Sequence, residues 1–122
     1  TGYCFGGMCV LDLARTGEDF QGAASFHGLF NKPGNTDSNA IKAKVLALHG
    51  WDDPMVPPAD VTALAEELTA GGADWQIHGY GNTLHAFTNP EANAPDMGAM
   101  YQADADRRSW QAMENFLAEV FA

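Results

Sequence analysis

Residues 44–50 read Lys-Val-Leu-Ala-Leu-His-Gly, with four aliphatic side chains in succession and no alternation with polar ones. A strand with one face in water alternates apolar and polar residues, whereas a continuous aliphatic run is typical of a parallel strand covered on both faces. Glycine and a polar loop end the run. The segment therefore predicts a buried central strand of an α/β fold.

The other strands and helices are predicted to alternate along the chain. Residues 23–28, between two glycines, and Trp75–Tyr80 have the composition of short strands. Helices are expected at 8–14, from Pro57-Pro58 to about Ala70, and at 101–121. This alternation predicts a parallel sheet with helical crossovers, in one domain over residues 1–122.

The last helix is expected to be amphipathic. Its apolar residues recur at helical spacing, and five of them are expected to face inward: Trp110, Met113, Leu117, Val120 and Phe121.

Composition limits the possible partners. A net charge of −10 with only six Lys and Arg residues disfavours binding to a nucleic-acid backbone. No apolar run approaches the roughly 20 residues that cross a bilayer, so no membrane span is predicted. Cys4 and Cys9 are too close for a disulfide framework, which favours a reducing, cytoplasmic compartment. Within the predicted helix, Cys9 is expected to be a small buried side chain.

The chain begins with a glycine-rich motif around a cysteine. Gly2-x-Cys4-x-Gly6 has the pattern of a nucleophile elbow, with cysteine in place of serine and glycines making room for a strained turn. The helix that follows directs its positive end at the sulfur, which favours the nucleophilic form. The backbone N–H of Phe5 would be one oxyanion-hole donor. Such a short motif is equally compatible with a structural cysteine in a glycine-rich turn.

A carboxylate follows the central strand. In His49-Gly50-Trp51-Asp52-Asp53-Pro54 the loop after the strand carries two acids, and prolines stiffen it. An acid in this place can orient a histidine and stabilise its charged form. Asp53, next to Pro54, is the preferred candidate. The alternative is that both acids merely form the polar turn before a helix.

A histidine follows the last strand. His85 lies in a loop after Tyr80, which gives the chain order nucleophile, acid, histidine that α/β-hydrolases use. His27, His49 and His78 lie within or at the ends of predicted strands, where a structural role is expected. His85 is therefore the candidate base.

Taken together, Gly2-Tyr3-Cys4-Phe5-Gly6-Gly7, then His49-Gly50-x-x-Asp53-Pro54-x-Val56-Pro57, then His85-Ala86-Phe87 resemble the dienelactone hydrolase family of α/β-hydrolases. The resemblance implies Cys4 as nucleophile, Asp53 as acid and His85 as base. It further implies a small ester or lactone as substrate, with no metal or organic cofactor.

The resemblance also implies that the chain is the C-terminal portion of such a domain, from the elbow to the last helix. The N-terminal half of the sheet, with the second oxyanion donor, would then be missing. Because an exposed sheet edge would result, we expect a homodimer or pairing with the missing half. The alternative function is a truncated non-catalytic α/β module that oligomerises or pairs with a separate chain.

Overall fold

The computed structural model describes residues 1–122, and its elements alternate as the sequence predicts. Three helices are present: α1 (Phe5–Arg15), α2 (Pro58–Ala70) and α3 (Ala103–Val120). Four strands form the main sheet: β1 (Gly2–Tyr3), β2 (Gly22–Phe26), β3 (Lys44–Gly50) and β4 (Trp75–Tyr80). A small hairpin, β5 (Asn93–Ala94) and β6 (Ala99–Met100), encloses a short 3₁₀ turn at Pro95–Met97.

The main sheet is parallel throughout, in the order β1-β2-β3-β4. Its register places Phe26 beside Leu48, and Leu48 beside His78. The four strands therefore end at one edge of the sheet, so the loops that follow them lie near each other. The predicted parallel α/β architecture is confirmed.

Helices cover both faces of the sheet. Val45 and Ala47 of β3 pack with Leu11 of α1 and Leu64 of α2 in one apolar cluster. Leu46 and Leu48 point to the opposite face, where they pack with side chains of α3, including Met113 and Phe116. The uninterrupted aliphatic run of β3 is thus explained, because both sets of side chains are buried.

Helix α3 packs on the sheet through Met113, as expected, and Leu117 and Val120 are partly buried against the same cluster. Its buried residues are Ala105, Ser109, Met113 and Phe116, whereas Trp110 is 50% exposed. Phe121 lies beyond the helix and is also exposed, so the inward placement of these two aromatic residues is wrong.

Cys9, the cysteine within helix α1, is exposed to solvent. The buried side of this helix carries Leu11, Ala14 and Arg15, and Cys9 projects from the exposed side. The expectation of a buried Cys9 is therefore wrong.

Arg15 is almost completely buried and joins α1 to α2. Its guanidinium donates to both carboxylate oxygens of Glu67, at 2.9 and 2.8 Å, and to the side chain of Asp12 at 2.9 Å. It also donates to the carbonyl oxygens of Phe30 and Asn31. A buried charge of this kind is tolerated only because it is paired and fully hydrogen-bonded.

No helix is both long enough and apolar enough to cross a bilayer.

Candidate active site

Cys4 occupies the turn between β1 and α1. Its backbone has φ 55° and ψ −117°, a conformation that side-chain-bearing residues rarely adopt. The Cys4 N–H donates to the carbonyl oxygen of Phe26 at 3.0 Å, and the Cys4 carbonyl accepts from Met8 N–H at 3.1 Å. The sheet and the helix thus hold the turn from both sides, as a strained turn requires.

The glycines around Cys4 have unequal roles. A methyl group on Gly2 would overlap the carbonyl oxygen of Gly6, so only glycine fits at position 2. Gly6 itself has open space around the position of a Cβ atom, and the expected need for glycine there is not explained by sterics. Gly7 is the second crowded position, since its Cβ would lie 2.8 Å from the Cα of Gly28.

Asp53 lies in the turn after β3 and is 2% exposed. Its Oδ1 accepts a hydrogen bond from Met55 N–H at 2.9 Å, which fixes the carboxylate within its own loop. Its Oδ2 is free to accept from His85 Nδ1, at 2.7 Å. Asp52, the alternative acid, is exposed. The structure therefore supplies a geometric reason for choosing Asp53.

The loop that carries His85 is held by backbone hydrogen bonds on both sides. The His85 N–H donates to Gly98 at 2.9 Å, and Met100 N–H donates to the His85 carbonyl at 3.1 Å. Asp52 N–H, in the acid loop, donates to the Thr83 carbonyl at 2.9 Å. The β5–β6 hairpin and the acid loop thus fix the base. Sequence reasoning missed this hairpin.

The three candidate residues form one continuous chain of contacts. Cys4 Sγ lies 3.1 Å from His85 Nε2, and His85 Nδ1 lies 2.7 Å from Asp53 Oδ2. The hydrogen bond with Asp53 is the main cause that raises the pKa of His85 from 6.5 to about 9; burial opposes it, and the contact with Cys4 adds to it. His85 is therefore able to hold a proton at neutral pH beside the sulfur.

The remaining histidines differ in their relation to this site. His27, expected to be structural, packs its ring against that of His85 with centroids 5.3 Å apart. His49 is fully buried, and burial lowers its pKa. His78 is partly exposed and contacts Gln76. Only His27 is a neighbour of the base.

The site is open to solvent at Cys4, which is exposed. No cavity is lined by Cys4, Asp53 or His85; the largest, about 480 Å³, lies beside α2. Side chains flanking the site in the chain are apolar and exposed, with Phe5 at 69% and Trp51 at 44%. Phe5 is also the first residue of α1, and the first N–H groups of a helix have no intrahelical acceptor. Its N–H is thus free to bind an oxyanion.

No three His, Cys, Asp or Glu side chains are grouped in a way that could hold a metal ion.

Comparison with known proteins agrees with the geometry. The sequence model of the family described as "Dienelactone hydrolase family" matches residues 1–121. This chain belongs to the dienelactone hydrolase family. Its fold also matches a solved structure, the dienelactone hydrolase-like promiscuous phosphotriesterase P91 from metagenomic libraries, with a TM-score of 0.90 and 39% identity.

Curated proteins with similar sequences extend the comparison. The uncharacterized protein K02A2.1 of Caenorhabditis elegans is 37% identical over 99% of this chain and 78% of its own length. A putative carboxymethylenebutenolidase of Salmonella typhimurium is 28% identical over 98% of this chain and 45% of its own. The chain also covers only 50% of P91. It thus spans about half the length of these last two relatives.

Proposed function

We propose that this chain carries the hydrolytic centre of an ester or lactone hydrolase, with Cys4 as nucleophile, His85 as base and Asp53 as acid. The observation that carries the proposal is the unbroken contact from Cys4 Sγ through His85 to the buried carboxylate of Asp53. Family membership supports hydrolysis as the reaction class. The strained backbone of Cys4 is a further feature typical of nucleophile turns.

In the proposed acylation step, the proton shared by the Cys4–His85 pair lies on His85 Nε2, and the Cys4 sulfur attacks the carbonyl carbon of the ester. Phe5 N–H donates to the oxyanion as the C–S bond forms. The C–O bond then breaks, and the leaving alkoxide takes the proton from His85. Asp53 keeps Nδ1 protonated throughout, so that Nε2 is the atom that exchanges the proton.

In the proposed deacylation step, water replaces the alcohol. His85 Nε2 accepts a proton from the water as its oxygen attacks the thioester carbon. The C–S bond then breaks, the carboxylic acid leaves, and the Cys4 sulfur again faces the protonated His85. The sulfur bears no charge in the thioester, so Cys4 no longer helps to raise the pKa of His85, which favours its action as a base.

We further propose that turnover needs a segment outside this chain, either a second copy or a part equivalent to the additional length of the relatives. The edge strand β1 has only two residues, and its Tyr3 is 41% exposed. Pairing along this edge would enclose the open side of the site. It would also supply a second oxyanion donor, whose loss alone typically lowers kcat by about a hundredfold or more.

The proposal is tested by ester cleavage and by trapping the acyl-enzyme. The substrates are p-nitrophenyl acetate and, because P91 is described as a phosphotriesterase, a neutral phosphotriester. We expect Cys4→Ala to abolish both the acetylation of the protein, which is detected by intact mass, and the release of nitrophenol above background. Cys9→Ala is the matched control, since Cys9 is an exposed thiol on the helix that follows Cys4.

Two results would contradict the proposal. One is acetylation that survives Cys4→Ala but disappears in Cys9→Ala. The other is nitrophenol release that is equal in all three chains, with no acetylated protein. This result must also hold after addition of the half of P91 that this chain does not cover. The latter result would favour a non-catalytic module.

A further inference from the structure

His27 lies where the strand ends meet, directly after β2. Its N–H donates to the Leu48 carbonyl at 2.8 Å, and the carbonyl of the preceding Phe26 accepts the Cys4 N–H. The backbone φ of His27 is +37°, in the left-handed region that a side-chain-bearing residue adopts at a cost. The surrounding contacts therefore hold this residue in place, one position from the nucleophile's backbone partner.

The His27 ring touches the segments that carry the nucleophile and the base. It is nearly perpendicular to the ring of His85, with centroids 5.3 Å apart, and to that of Phe87, at 5.1 Å. The ring of Tyr3, the residue before Cys4, also lies near the His27 ring, with centroids 5.9 Å apart. Since His27 is only 4% exposed, this ring fills the space between β1 and the His85 loop.

A hydrogen bond adds direction to this packing. His27 Nε2 lies 2.9 Å from Thr88 Oγ1, three residues beyond His85 in the same loop. Together with the contact to the His85 ring, this bond joins the His85 loop to the end of β2. Rotation of the loop away from Cys4 would require this bond to break.

The charge states of the two imidazoles suit this arrangement. Burial, and secondarily the neighbouring His85, lowers the pKa of His27 to about 4, while the pKa of His85 is raised to about 9. The other ionisable groups near His27 are Asp53, which acts in the opposite sense, and Tyr3. At neutral pH a neutral ring therefore faces a protonated one, without the repulsion of two adjacent cations.

We propose that His27 is a positioning residue of this hydrolase site, whose ring and Thr88 bond keep His85 Nε2 in line with the Cys4 sulfur. The inference rests on the proposed function, because it assigns His27 a role through the Cys4–His85 pair. Displacing catalytic groups by about an ångström is enough to lower reaction rates by one to two orders of magnitude.

The test uses alkylation of the two exposed thiols by iodoacetamide, followed by peptide mass spectrometry. Cys9 serves as an internal reference in the same tube, so the ratio of Cys4 to Cys9 labelling reports the state of the Cys4–His85 pair. His27→Phe keeps an aromatic ring but loses the bond to Thr88. Thr88→Val removes the same bond from the other side with little change of shape.

We expect both variants to lower the labelling ratio about tenfold near pH 7, because His85 leaves the sulfur. Near pH 10 free thiols ionise without help, so there the ratio should match that of the parent chain. A loss confined to neutral pH separates positioning from general damage to the fold. His27→Gln, whose amide can still reach Thr88, should stay within about threefold of the parent.

Two control variants make the outcomes distinguishable. His78→Gln, remote from the site, should leave the ratio unchanged, and His85→Gln should lower it. If His85→Gln has no effect, the proposed function fails, and the role of His27 fails with it. If His85→Gln lowers the ratio but folded His27→Phe and Thr88→Val retain the parent's value near pH 7, the inference about His27 alone is overturned.

Discussion

The hydrogen bond between Asp53 and His85 makes the stability of the fold depend on pH, and Asp53→Asn tests this dependence. The pKa of His85 is 6.5 in an unfolded chain and about 9 in the folded one. Because the folded value is the higher, the stabilisation is complete below about pH 6.5 and is lost as the pH rises through about 9. At about 1.4 kcal/mol per pKa unit, it amounts to about 3 kcal/mol.

The substitution removes the charge of Asp53 but nearly keeps its shape. Its first effect is on His85, whose pKa should fall to its usual value or lower, since burial then acts without the main opposing cause. The parent chain should have a higher free energy of unfolding than Asp53→Asn. We expect this difference to be about 3 kcal/mol larger near pH 6 than near pH 9.5.

Urea unfolding at the two pH values measures the effect. Asp52→Asn is the matched control, because Asp52 is the exposed neighbour in the same loop. The difference in free energy of unfolding between Asp52→Asn and the parent should not change with pH. If the difference for Asp53→Asn is equally independent of pH, the ion pair is not what raises the pKa of His85, and the reasoning is refuted.

Two further pairs of substitutions test the packing around α1. Gly2→Ala should lower the free energy of unfolding by about 2 kcal/mol or more, because its methyl group overlaps the Gly6 carbonyl, whereas Gly6→Ala should raise it by about 0.5–1 kcal/mol. Thermal unfolding compares them, and equal losses would contradict the role of Gly2. Arg15→Met should cost about 3–5 kcal/mol in urea unfolding, since it strands the Glu67 carboxylate, and adding Glu67→Met should recover part of the loss. No recovery would mean that the ion pair is not the source of the cost.

The sequence predicted the long elements well, because their signals are local. The bounds of β3 were expected from its continuous aliphatic run, β4 occupies the predicted residues Trp75–Tyr80, and α2 begins at Pro58 as its proline suggests. The two-residue strands β1, β5 and β6 were not expected. They are too short for any periodicity. Strand β1 forms by pairing with the distant β2, and β5 and β6 pair with each other across a short turn.

The candidate site was predicted from the order of its residues, whereas its supports were not. Cys4, Asp53 and His85 were selected because they follow strands in the order of α/β-hydrolases, and the structure brings them together. His27 was set aside as structural, since a single histidine at a strand end carries no sign of its neighbours. The hydrogen bond from His85 N–H to the Gly98 carbonyl joins the backbones of two loops, and side-chain patterns do not encode it.

The contacts that align the candidate triad all lie within this chain. Activation of the sulfur and stabilisation of the oxyanion can therefore be considered separately. Asp53, His85 and Cys4 are held by backbone and side-chain bonds within residues 1–122, so activation of the sulfur should require nothing further. Stabilising the oxyanion is different, because Phe5 N–H is a single donor on an open surface. Thiol alkylation should therefore detect an activated Cys4 in this chain even where ester turnover is slow, and turnover should rise when a partner segment encloses the site.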